Sequence, residues 1–207
     1  MRVVFIRHGQ STGNIGLPSV DHASIELTPT GWQQAREVAA NWTERPTLIV
    51  TSPFLRAQQT AAPTKERFPD VPLVTWAIQE FTYLTPGRWN GTMSAERLPS
   101  IDRYWSAADP EYCDGDGAES FTALLWRAEA ALLRLQMMPK TALVYLFSHA
   151  QFIRAVCSLV LAPGTPARER MTGFGGWSSA PTLRNAERMA FIYDEHFWSL
   201  ERRGVSE

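Results

Sequence analysis

Seven residues, Thr141-Ala142-Leu143-Val144-Tyr145-Leu146-Phe147, run almost without a polar side chain. A strand of that kind is buried on both faces. It belongs in the middle of a sheet with helices above and below. Val3 to Ile6 and Thr47 to Val50 are shorter runs of the same character and read as further strands. Val71 to Trp76 is another, with Pro72 placing its start near an edge. Ala190 to Tyr193 and Phe197 to Leu200, flanking Asp194-Glu195-His196, read as a closing hairpin, with His196 in its turn.

Helices fill the intervals. Thr28 caps and Pro29 opens a helix whose Trp32, Ala35, Val38 and Trp42 share one face. Ser52-Pro53 starts the next, which puts Arg56 about one turn inside it. Ser94 to Ala107 is helical with an interruption at Pro99. Ser120 to Met137 is the longest helix, ended by Pro139. Ser148 caps the helix that follows the apolar strand, which runs to about Leu161. A Gly-rich turn at Gly173 to Gly176, and Pro181, precede the hairpin. The expectation is one α/β domain over residues 1–207.

The net charge of −1 gives no general case for nucleic acid or membrane binding, though a local cationic site remains compatible with it. Cys113 and Cys157 have neither metal-ligand spacing nor a disulfide framework. The first apolar run is too short for a signal peptide, and no stretch is long enough to span a bilayer, so the expected location is cytoplasmic. The acidic loop Glu111 to Gly117 lacks the alternating ligands of a calcium loop.

Three of the strands deliver chemistry at their ends. The first runs into Arg7-His8-Gly9-Gln10-Ser11-Thr12-Gly13-Asn14, the second toward Arg56, and the apolar strand into Ser148-His149. Taken singly, each has an ordinary reading. Arg7-His8 is then a strand-to-loop junction, Arg56 a solvated helix arginine, and His22 and Glu80 are plain loop residues. Together, on parallel strands, they converge on one rim, where open α/β sheets bind ligands. Two arginines there call for an anion of phosphate geometry. Neighbouring cations lower a histidine's pKa, and a neutral imidazole is a nucleophile. A carboxylic acid in a covering loop can protonate the leaving group. A Walker loop would need a lysine after His8, a zinc site needs clustered ligands, and neither Ser11 nor Ser148 sits in a hydrolase elbow.

These segments resemble the motifs of the histidine phosphatase superfamily, the phosphoglycerate mutase-like family. Arg7 to Asn14 is similar to its Arg-His-Gly signature, Ser52 to Thr60 to its second motif and Ser148 to Arg154 to its third. Leu27 to Ala35, Glu119-Ser120 and Asn185 also fit, in the family's order. The resemblance implies a three-layer α/β/α sandwich around a mostly parallel sheet. It implies metal-independent transfer through a phosphohistidine on His8, with no cofactor. Arg7, Arg56, His149 and Asn14 would hold the phosphoryl group, and Glu80 would be the proton donor. Ala150 stands where one branch carries its Asp proton donor, which points to the other branch, although Gly is usual at that place there. The implied function is hydrolysis of a small phosphomonoester. A phosphomutase is the alternative, and a non-catalytic phosphate-binding or scaffolding domain a third reading. Arg88, Arg97 and Arg103 lie in the segment that would cover the substrate, without assignable roles. An oligomer is compatible with the eight tryptophans.

Overall fold

The computed structural model describes residues 1–18, 21–175, 183–194 and 196–201. Glu195, Gly176 and Pro181, named in the hairpin and the Gly-rich turn, lie outside them. Six strands form one sheet among these residues: β1 (Arg2–Arg7), β2 (Leu48–Thr51), β3 (Leu73–Thr75), β4 (Leu143–Ser148), β5 (Arg188–Asp194) and β6 (Phe197–Leu200), in the order β3-β2-β4-β1-β5-β6. The first four are mutually parallel, and β5 runs antiparallel to both β1 and β6. The sheet is therefore mostly parallel, with β3 at one edge as Pro72 foretells.

Strand alternation divides the core into two layers. Val3, Phe5, Val144 and Leu146 face one cluster, and Val4, Ile6, Tyr145 and Phe147 face the other. The first layer is closed by α5 (Phe121–Gln136) and α6 (Ala150–Leu161), the second by α1 (Pro29–Ala40) and α2 (Leu55–Arg67). Both faces of β4 are buried, as its unbroken apolar run requires. Along α5, Phe121, Leu124, Ala128 and Leu135 are wholly buried. Each such Leu or Phe contributes about 1.5–3 kcal/mol.

Several local expectations are corrected. α2 begins at Leu55 with Phe54, still extended, as its cap, so Arg56 is the second helical residue. Ser52 Oγ accepts the Phe54 N–H, at 3.1 Å, but does not cap the helix. Ser148 belongs to β4, and His149 holds the cap position of α6. α4 (Ser94–Ala107) passes through Pro99 unbroken. Pro99 and Ala95 are both exposed, so the carbonyl that loses its partner faces water. Gly173 to Gly175 ends a helix, α7 (Ala167–Gly175), rather than forming a turn. Pro86–Trp89 is a single helical turn, α3, inside the expected loop. Among the described residues, no helix is long and apolar enough to cross a membrane.

The candidate active site

The turn from β1 into residues 8–14 is pinned from both helices of the second layer. Gly9 N–H donates to Thr60 Oγ1 at 3.0 Å, and Gln10 N–H to Gln34 Oε1 at 2.8 Å. Thr28, the α1 cap, donates to Gln10 Oε1 at 2.8 Å. Backbone meets backbone here. A Cβ on Gly31 would lie 2.0 Å from the Gln10 carbonyl oxygen, and one on Gly9 2.6 Å from that of Gly31. Only glycine permits this approach.

His8 is thereby fixed at the C-terminal end of β1, its N–H on the Ser148 carbonyl at 2.9 Å. Its Nδ1 lies 2.7 Å from the Gly9 carbonyl oxygen, which can only accept, so Nδ1 carries the proton. Nε2 keeps its lone pair and accepts from Arg56 Nε at 3.2 Å. Burial, then Arg56 and Arg7, push the His8 pKa well below 6.5, against the opposing pull of the Gly9 bond. His8 is a neutral imidazole at neutral pH.

His149 is fully buried, its ring centroid 5.1 Å from that of His8. Its Nε2 meets Ser52 Oγ at 2.8 Å, while its Nδ1 has no partner among the described residues. Burial, Arg56 and His8 hold it neutral too. Phe54 packs edge-on against this ring, with the Arg56 guanidinium 5.0 Å above the phenyl.

Arg56 also donates from Nη1 to the His22 carbonyl at 2.7 Å. Burial brings its pKa down to about 10, still charged at neutral pH. Arg7 donates from Nη1 to the Leu183 carbonyl at 2.5 Å, and its buried Nε has no partner among the described residues. Asn14 Oδ1 accepts three bonds at 3.0 Å, from Ser11 N–H, Ser11 O–H and Asn185 Nδ2. Those donors fix the amide orientation and leave Asn14 Nδ2 as the free donor.

Glu80 faces this cationic group. Its Oε1 accepts from Phe81 N–H at 3.2 Å and from Gln151 N–H, in the first turn of α6, at 3.0 Å. Its other oxygen makes no hydrogen bond among the described residues, so a proton on this carboxyl belongs on Oε2. Arg7, His8, Asn14, Arg56 and Glu80 line one cavity of about 140 Å³. His149 is not on its wall, but touches it through His8.

His22 and Arg97 line the same cavity, and local sequence assigned neither. His22 is a loop residue, as expected, yet its carbonyl anchors Arg56. Burial, Arg56 and Arg97 lower its pKa. Arg97 donates only to Thr92 and makes no ion pair among the described residues. Arg88 instead pairs with Asp114 at 3.6 Å, and the exposed Arg103 is not on the cavity wall. Ser52, the partner of His149, was marked by its place directly after β2. Among the described residues, no group of three or more His, Cys, Asp or Glu is close enough to hold a metal ion.

Parallel strand ends gather His8 and two guanidiniums around a small cavity, with neutral His149 behind His8, which makes this an α/β protein with a cationic rim. Comparison then gives the family. Residues 3–200 match the model of the histidine phosphatase superfamily (branch 1), and the chain belongs to it. A mannitol-1-phosphatase of Eimeria tenella is 32% identical over 105 residues, covering 45% of this chain and 33% of that protein. The chain thus spans about a third of the length of that curated relative. The structure titled Mycobacterial hydrolase 1 superposes with a TM-score of 0.76 at 24% identity, over 100% of this chain and 99% of that one. A phosphoserine phosphatase from Entamoeba histolytica, in complex with phosphoserine, gives 0.74 at 23% identity, over 97% and 95%.

Proposed function

We propose that the chain is a metal-independent phosphomonoesterase working through a phosphohistidine on His8. The observation that carries this is the His8 tautomer, with Nδ1–H on the Gly9 carbonyl and the Nε2 lone pair facing Arg56. In the first step His8 Nε2 attacks phosphorus and the ester P–O bond breaks. The departing alkoxide takes the proton from Glu80 Oε2. Arg56 Nε gives up its bond to His8 as the P–N bond forms and turns to a phosphoryl oxygen. Arg7 Nε, Asn14 Nδ2 and His149 Nδ1–H, with Ser52 donating to its Nε2, supply the remaining donors. In the second step Glu80 takes a proton from water, whose oxygen attacks phosphorus. The P–N bond breaks, phosphate leaves, and His8 regains its lone pair.

The substrate on this reading is a small phosphomonoester, because the cavity is small and most of its lining is polar or charged. The mannitol-1-phosphatase and phosphoserine phosphatase relatives are named for substrates of that size. A reducing, cytoplasmic setting is part of the proposal, and the two free thiols, Cys113 and Cys157, fit it.

The test is phosphate release from a panel of small phosphomonoesters in EDTA, by wild type and His8→Ala. The expected result is full activity in EDTA and a loss of about 10⁴-fold or more in the variant. Acid-labile labelling of wild type should vanish with His8. Activity abolished by EDTA, or retained by His8→Ala, overturns the proposal. Transfer of the label to an alcohol rather than to water makes the chain a mutase.

A further inference from the structure

Glu80 stands on no helix or strand. It sits five residues beyond β3, in irregular chain, yet a proton donor has to be held within a few tenths of an ångström of its working position. Three consecutive carbonyls just before it are each held by a side chain. Arg127 Nη1 donates to the Ala77 carbonyl at 2.9 Å and to that of Gln79 at 3.2 Å. Between them, Ser148 Oγ donates to Ile78 at 2.6 Å. The rest of the Arg127 fork is spent on Glu119, Nε to Oε2 at 2.9 Å and Nη2 to Oε1 at 2.6 Å. Glu119 in turn grips the far side of Glu80, its N–H on the Thr82 carbonyl at 2.9 Å and its Oε1 3.4 Å from Thr82 N–H. The pair is largely buried, at 16% and 19% side-chain exposure. The guanidinium lies 5.3 Å over Phe152, the residue after Gln151, whose N–H holds the Glu80 carboxylate.

We propose that Arg127, oriented by Glu119, is the positioning residue for the proton donor: it sets where Glu80 sits and touches no substrate. The proposal rests on the reading of Glu80 given above. One flat, five-donor group holds the chain before Glu80 directly, reaches the chain after it through Glu119, and packs on Phe152 of α6. A lysine, with a compact ammonium, cannot make the fork to Glu119 and span the two carbonyls at once.

The experiment compares kcat/KM for an alkyl phosphate and for nitrophenyl phosphate. The nitrophenolate departs without a proton, and kcat/KM covers only the steps through loss of the alcohol, so the shared attack by water drops out. Glu80→Gln is expected to lose about 100-fold on the alkyl ester and far less on the nitrophenyl ester. Arg127→Gln and Arg127→Lys should show the same asymmetry at about tenfold. Adding Arg127→Gln to Glu80→Gln should cost nothing further on the alkyl ester. Equal losses on both esters in the Arg127 variants, or additive losses in the double variant, overturn the positioning role. Equal losses on both esters in Glu80→Gln overturn the acid assignment itself. If Arg127→Gln does not fold, Glu119→Gln carries the same expectation. Independently of turnover, amide exchange at Gln151 should quicken in Arg127→Gln, and unchanged exchange overturns the proposal.

Discussion

Two hollows among the described residues are of very different kinds. The larger, about 1260 Å³, is an open groove against α1, β1, β5 and β6. The smaller, about 140 Å³, is the cavity at the C-terminal strand ends. In the groove the charges are matched. Arg2 pairs with both Glu44 and Glu201, Arg188 lies 4.9 Å over Trp42, and the Glu187 carboxylate accepts the Arg184 N–H. In the small cavity three arginines meet a single acid, and Arg7 and Arg56 use only part of their guanidinium donors on protein carbonyls. Space alone marks nothing. What separates the regions is charge left without a counter-charge in a place that water only partly reaches.

The sharpest way to break this comparison is Arg56→Lys. It keeps the charge but loses the fork that spans His8 and the His22 carbonyl. Steady-state kinetics should show kcat down by about 100-fold with the fold intact. A change under threefold would mean that charge alone, rather than its geometry, distinguishes the cavity. Gly31→Ala comes next. Its Cβ would meet the Gln10 carbonyl, so denaturant unfolding should show a loss of about 2–3 kcal/mol.

A smaller effect is read against pH. His8, His149 and His22 all have pKa values below the usual 6.5, first through burial and then through Arg56. Below about 6.5 the unfolded chain therefore binds protons that the folded chain refuses. Their contribution to stability is complete above that pH and is lost as pH falls toward the folded-state values. The thermal midpoint should drop between about pH 7 and pH 5, and the drop should be shallower in His149→Gln. Glu201→Gln in the groove should do least. Its pair with Arg2 is partly exposed, so stability should move by under about 1 kcal/mol and kcat/KM by less than twofold. A large fall in activity would erase the contrast between the two hollows.

The four central residues were legible because strands fix direction. Arg7 ends β1, His8 and His149 follow β1 and β4, Arg56 comes after β2, and parallel pairing brings those ends to one rim. The sandwich was legible in the double-sided burial that β4 demands. What stayed hidden came from irregular chain, whose path no periodicity sets. His22 and Arg97 reach the cavity from such segments or just beyond them, and Arg127 reaches the Gln79 carbonyl, next to Glu80, across 48 residues. Ser52 and Ser148 misled for a different reason. Serine after a strand favours a helix cap locally, but here the tertiary partners His149 and Ile78 claim both hydroxyls. Pro99 shows the same override, since an exposed carbonyl can do without its helical partner.

The pairing of β1 with β5 also has a bearing on how the molecule is made. The His8 carbonyl accepts from Ala186 N–H and from Asn185 Nδ2, 177 residues further along. Arg7 waits on the Leu183 carbonyl in the same way. On the ribosome the segment carrying His8 emerges long before β5, and its surroundings are completed only when β5 arrives. Until then β1 has one neighbour, β4, itself more than a hundred residues downstream. Contacts of such high sequence separation fold slowly and leave apolar strand edges open meanwhile. A nascent chain stalled before Leu183 would carry every side chain proposed to act in catalysis and still lack the frame that aims them.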